Sequence, residues 1–148
     1  FKNKNYILAS LSVSCFFNGF HYLLLDQATA GYIFLFSSVR FLISIKWKFQ
    51  WISVASLSLS LLITISTYNG ILSIIGFMAT ILITTGSFSH NDKFLRLMMI
   101  SGGTLWIIHN FILGSPVGLI VETVFVVSSC IGYYRFYIAK KPAPTLSV

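Results

Sequence analysis

The lysines and arginines of this chain are sorted. Apolar stretches alternate with short polar breaks, and every second break holds the cations: Lys2 and Lys4; Arg40, Lys46 and Lys48; Lys93 and Arg96; Arg135, Lys140 and Lys141. The intervening breaks, Leu25-Asp26-Gln27, Thr67-Tyr68-Asn69-Gly70 and Gly114-Ser115-Pro116, hold neither Lys nor Arg. Folding in water gives no reason for such sorting. Short loops rich in Lys and Arg stay on the cytoplasmic side of a membrane. The pattern therefore predicts a multi-pass chain whose basic loops and C-terminus lie in the cytoplasm.

Composition agrees. Of the 148 residues, 56% are hydrophobic and 9% charged, against roughly a quarter charged in an ordinary soluble domain. A net charge of +7 points to nucleic acid only where a basic face sits on a soluble fold. Here the cations flank apolar segments, where they meet anionic lipid head groups, so the expected partner is the bilayer and not nucleic acid. Cys15 and Cys130 fall inside apolar segments, which favours packing over a disulfide or a metal site. The chain opens at Phe1 on a basic loop. A cleaved secretory signal would leave Lys2 and Lys4 outside, so a further upstream segment is the expectation.

A helical span takes about 20 residues. Six segments meet or approach that: Tyr6 to Leu25, Ala28 to Ile45, Trp51 to Thr67, Ile71 to Phe88, Phe94 to Leu113 and Val117 to Ile138. Apolar strands would leave backbone groups unpaired in lipid, so helices are predicted. Ser115 before Pro116 reads as a helix start. The fold class is thus all-α: one transmembrane domain of six helices, with residues 139–148 a cytoplasmic tail.

The chain also aligns on itself. Tyr6 to Leu25 lies over Phe94 to Leu113 without a gap, superposing His21 on His109. After a one-residue slip Ala30-Gly31 lies over Val117-Gly118. Chance resemblance between apolar helices is the competing explanation. Duplication predicts three helices, a linker helix (51–67) and three more (from 71 to 138), with the first helix of the first copy upstream of Phe1. An odd linker keeps the two copies parallel.

Ionisable groups inside spans are costly and are the first functional candidates. Glu122 is the acid placed inside a span, and His109 lies four residues before the far end of the preceding one. Both sit roughly 6–8 Å below the outer boundary, close enough in height for imidazole and carboxylate to meet. Two readings stand level: a substrate or proton site opening outward, and a polar clasp between helices. His21 holds the matching place in the first copy but faces Leu35 there. Asn110 and Asn18 add amides nearby, and Trp106 fits either a ring that stacks on a solute or an interfacial anchor. Arg40 and Arg135, at cytoplasmic helix ends, are expected to snorkel to lipid phosphates, with an anion-binding inner gate as the alternative. Gly102-Gly103 and the series Ser53, Ser56, Ser60 and Thr64 suit close helix packing. Metal-binding spacings, nucleophile motifs and phosphate loops are lacking, so neither catalysis nor a cofactor is expected.

Trp106-Ile-Ile-His109-Asn110-Phe111, then Gly114-Ser115, Gly118, Glu122 and Arg135, together with Gly19-Phe20-His21-Tyr22, Ala30-Gly31 and Arg40, resemble the signature of the bacterial inner membrane protein YgjV family over most of Tyr6 to Ile138. The resemblance implies a bacterial inner-membrane location and another apolar segment before the first basic loop. That family in turn resembles the SWEET and PQ-loop transporters, which implies paired three-helix bundles around a midplane site. Departures are plain: there is no Pro-Gln dipeptide, the helix interiors lack proline, and Ser37 and Ser129 stand where Asn is expected. The resulting expectation is a SWEET-like transporter of a small polar solute. His21, Trp106, His109, Asn110 and Glu122 would line its outer half, with self-association of the chain open. The alternative is a non-transporting scaffold, sensor or partner subunit.

Overall fold

The computed structural model describes residues 4–139. The cations Lys2, Lys140 and Lys141 and the rest of the expected tail lie outside those residues. Six helices follow in order: α1 Lys4–Leu24, α2 Ala28–Lys46, α3 Gln50–Ser66, α4 Ile71–Phe88, α5 Asp92–Leu113 and α6 Pro116–Tyr133, the last running into a π-helical turn at Tyr134–Ile138. Among the described residues there is no strand. Five helices are long and apolar enough to cross a membrane, counting α6 with its π turn, while α3 has 17 residues, about 25 Å of rise.

The boundaries follow from capping. Asn91 accepts hydrogen bonds from the backbone N–H of Lys93 (2.9 Å) and Phe94 (3.3 Å). The helix therefore begins at Asp92, two residues before the predicted Phe94, because an Asx cap satisfies its first free donors. Ser115 caps α6 as expected, accepting from Gly118 N at 3.2 Å, with Pro116 in the first turn.

α1 packs along α2, and α5 lies between α4 and α6. α4 also touches α2 and α3. Leu8, Tyr22, Ile33, Phe41, Leu95 and Met99 are among the core residues. Large apolar side chains such as Phe17, Val54, Phe111 and Val124 point outward, as lipid-facing helices require. Small residues set the close approaches: a Cβ at Gly102 would meet Ile83 and the Ala79 carbonyl, and one at Gly103 would meet Val126. On α3 the buried residues are Ser56, Ser60 and Thr64, one hydroxyl stripe at four-residue spacing. On α4, Thr80, Thr84, Thr85 and Ser87 each donate to the carbonyl four residues earlier, at 2.6–2.8 Å.

The two hairpins α1–α2 and α5–α6 share local features at the positions that self-alignment pairs. α1 ends on Asp26 in the left-handed region (φ 56°) and α5 on Gly114 (φ 73°). Gly31 on α2 and Gly118 on α6 each let their helix press against the one before: a Cβ would collide with Leu23 in the first case and Asn110 in the second.

Candidate functional site

A buried aromatic and amide cluster fills the end of the bundle away from the basic residues. α1 supplies Tyr22, α2 Phe34, and α5 Trp106, His109 and Asn110, each buried. The spacing of 106, 109 and 110 puts all three on one face of α5. The Trp106 ring lies 4.5 Å from Phe34, 4.9 Å from His109 and 5.8 Å from Tyr22 between centroids. Gly76 of α4 closes the far side, where a Cβ would come within 3.1 Å of the indole. Trp106 is thus a core residue rather than an interfacial anchor, because a glycine on the neighbouring helix opens a slot for it.

Asn110 ties the cluster together. Its Oδ1 accepts from Tyr22 Oη at 2.8 Å, its Nδ2 donates to the Trp106 carbonyl at 2.9 Å, and its own carbonyl accepts from Ser115 N at 3.0 Å. The amide is fully buried and satisfied on both sides, as a buried polar group must be. Sequence reasoning named Tyr22 only among the residues that carry the family resemblance and not as a site residue, although self-alignment places it on Asn110. His21 is half-buried and its Nε2 lies 3.3 Å from Ser115 Oγ, joining α1 to the start of α6.

The expected meeting of His109 and Glu122 does not occur. No hydrogen bond or ion pair links them among the described residues, and His109 Nδ1 is buried without a hydrogen-bond partner. The imidazole is held edge-on to Trp106 and Tyr22. Equal height in the membrane is not enough, because the two side chains leave their helices at different angles. Glu122 is buried and instead borders a small central cavity of about 40 Å³, together with Asn18, Cys15, Phe34, Met99 and Trp106. That space suits a few water molecules at most.

The two arginines assigned to helix ends differ. Arg135 lies in the π turn and is exposed, its guanidinium 5.9 Å from the Phe136 ring. Arg40 does not snorkel: it is 1% exposed and donates through Nη1 to Thr84 Oγ1 on α4, with Nε unpaired. Thr84, 44 residues away in sequence, offers it an acceptor inside the bundle. Asp26, His90 and Asp92 are exposed, as solvated loop and helix-end residues should be. Both cysteines are free, Cys15 buried and Cys130 exposed. No group of three or more His, Cys, Asp or Glu residues that could hold a metal occurs among the described residues.

A family model described as bacterial inner membrane protein, Imp-YgjV, matches residues 1–140. Inner membrane protein YgjV of Escherichia coli (strain K12) is 26% identical over 131 residues, covering 88% of this chain and 72% of that protein. No solved structure matches. With the family model spanning nearly the whole chain, and five helices of membrane-crossing length and apolarity beneath it, the chain belongs to the Imp-YgjV family of bacterial inner membrane proteins.

Proposed function

We propose that the protein is a transporter of a small polar solute, built from two parallel halves, α1–α2 and α4–α6, joined by α3 in a SWEET-like arrangement. The basic loops face the cytoplasm. The observation that carries this reading is the lining of the central cavity. Three pairs of its residues are related by the self-alignment: Leu11 with Met99, Asn18 with Trp106, and Phe34 with Val121. A cavity lined from both copies lies between the halves, where a duplicated transporter places its substrate. Into it faces Glu122, a carboxylate inside a span, which a purely structural helix has no reason to keep. In the conformation described the space is too small for anything beyond water, about 40 Å³, so the halves part to admit a solute. Trp106, Asn18 and Glu122 then contact it, while Tyr22–Asn110 closes the outer end.

Uptake by proteoliposomes, screened over small polar solutes, tests the proposal. Glu122→Gln should abolish whatever uptake the wild type shows. Unaltered transport in a Glu122→Gln, His109→Ala double variant would remove both residues from the mechanism. Reporter fusions at Lys48 and Lys140 should both read cytoplasmic; opposite readings overturn the parallel arrangement.

The saturated hydrogen bonding of Asn110 favours a second reading, a non-transporting membrane protein whose polar network locks its helices. Under it no solute protects the wild type against heat, and Glu122→Gln alters thermal stability alone.

A further inference from the structure

We infer that the transported solute is a zwitterion, with an ammonium at one end to meet Glu122 and a carboxylate at the other to meet Arg40. The inference rests on the transport reading and names the substrate class of the same cavity.

Glu122 and Arg40 are opposite charges shut inside one bundle, and among the described residues they form no ion pair with each other. The sequence holds three acidic side chains in all. Asp26 and Asp92 are exposed at helix ends, so Glu122 is the carboxylate carried into a span. Arg40 has the Thr84 hydroxyl as an acceptor, while its Nε is buried without a hydrogen-bond partner. A neutral hydroxyl does not offset a guanidinium withdrawn from water. Both charges are therefore held at a cost that a solute with complementary ends relieves together. An anion alone would suit Arg40 and be repelled by Glu122; a cation alone would do the reverse.

Both charges adjoin the central cavity. Glu122 borders it directly. The Arg40 guanidinium lies over the Phe41 ring, 5.2 Å from its centroid, and Phe41 is part of the cavity wall, as is Ile83 beside Thr84. Cys15, on the same wall, is within electrostatic reach of both groups. Glu122 comes six residues after the start of α6 and Arg40 twelve after the start of α2, so their levels differ by about 9 Å. That separation favours a solute whose charges stand several bonds apart over an α-amino acid. Displacing the Phe41 ring as the halves part opens the way from one charge to the other. A guanidinium takes a carboxylate through two parallel hydrogen bonds, and the Trp106 ring on the wall adds cation–π attraction for an ammonium.

The test uses the whole chain in proteoliposomes. Labelled 4-aminobutyrate, 5-aminopentanoate and glycine are compared with butylamine, butyrate and glycerol, which carry one charge or none. The zwitterions should enter and the others should not, with the lower KM for the two longer ones. Arg40→Gln should raise the KM for 4-aminobutyrate roughly ten- to hundredfold, as loss of a hydrogen-bonded charge does. It should also abolish inhibition by butyrate while keeping inhibition by butylamine. Should Arg40→Gln fail to fold, competition in the wild type decides: butyrate and butylamine must each inhibit 4-aminobutyrate uptake, and both more weakly than 5-aminopentanoate. Uptake confined to glycerol or to singly charged solutes, an unchanged KM in Arg40→Gln, or no inhibition by one of the two half-analogues overturns the inference and leaves transport standing. Transport itself falls only if the wider solute screen is empty too.

Discussion

α2 and α6 are the second arms of two hairpins built on the same plan, yet α2 buries ten residues and α6 only Gly118 and Glu122. Both are apolar along their length and both use a glycine to press on the preceding helix. What differs is the cover. α3 and α4 lie against α2, whereas α6 packs on α5 with its other flank open. Burial in this molecule is thus set by how many neighbours a helix acquires, and residues that self-alignment pairs can have opposite surroundings. Arg40 is enclosed because α4 brings Thr84 to it, while cations of the second half lie near a surface or a groove.

The sharpest way to break the comparison is at the paired glycines. Gly118→Ala should cost about 3 kcal/mol, the upper range for overpacking, because its methyl group meets an Asn110 amide held in place on both sides. Gly31→Ala meets the flexible Leu23 side chain and comes within 3.2 Å of the Gly19 carbonyl oxygen, and should cost less than Gly118→Ala. Equal losses in denaturant unfolding from mixed micelles would mean that the two hairpins are not packed differently. Tyr22→Phe comes next. It leaves the buried Asn110 Oδ1 without its donor and should cost about 1–3 kcal/mol; a neutral result would show that the Tyr22–Asn110 bond does not join the halves. The helix ends give a smaller, signed effect. Asp26→Gly should stabilise by up to about 1 kcal/mol, since a side chain in the left-handed region is strained, and Gly114→Asp should destabilise by a similar amount. Least is expected of His21→Ala, below about 1 kcal/mol, because a half-buried contact at 3.3 Å exchanges readily with water.

Much of this was legible in the residues. The sorting of cations and the apolar lengths located all six helices, and Ser115-Pro116 marked the start of α6. The self-alignment that pairs His21 with His109 also pairs Tyr22 with Asn110, which are hydrogen-bonded to one another. What sequence could not give is rotation about each helix axis. His109 and Glu122 have the right heights, but the imidazole turns into the Tyr22–Trp106 cluster while the carboxylate turns to the cavity. Trp106 resembles a membrane-surface anchor until Gly76 is known to sit across from it. Arg40 reads as a snorkelling residue until an acceptor 44 positions away is placed beside it. Each miss depends on a partner from another helix, and local pattern carries no information about such partners.

The hydroxyl ladder on α4 has one last consequence. Thr80, Thr84, Thr85 and Ser87 share carbonyls already used by the backbone, and such sharing lengthens and softens the main-chain bonds it touches. Proline is absent from this segment, so these shared carbonyls are what would let α4 bend over the two turns nearest the Lys and Arg residues. Flexure concentrated there would swing the Gly76 end of α4 away from the indole as a lever swings about its fulcrum, leaving the helix unbroken.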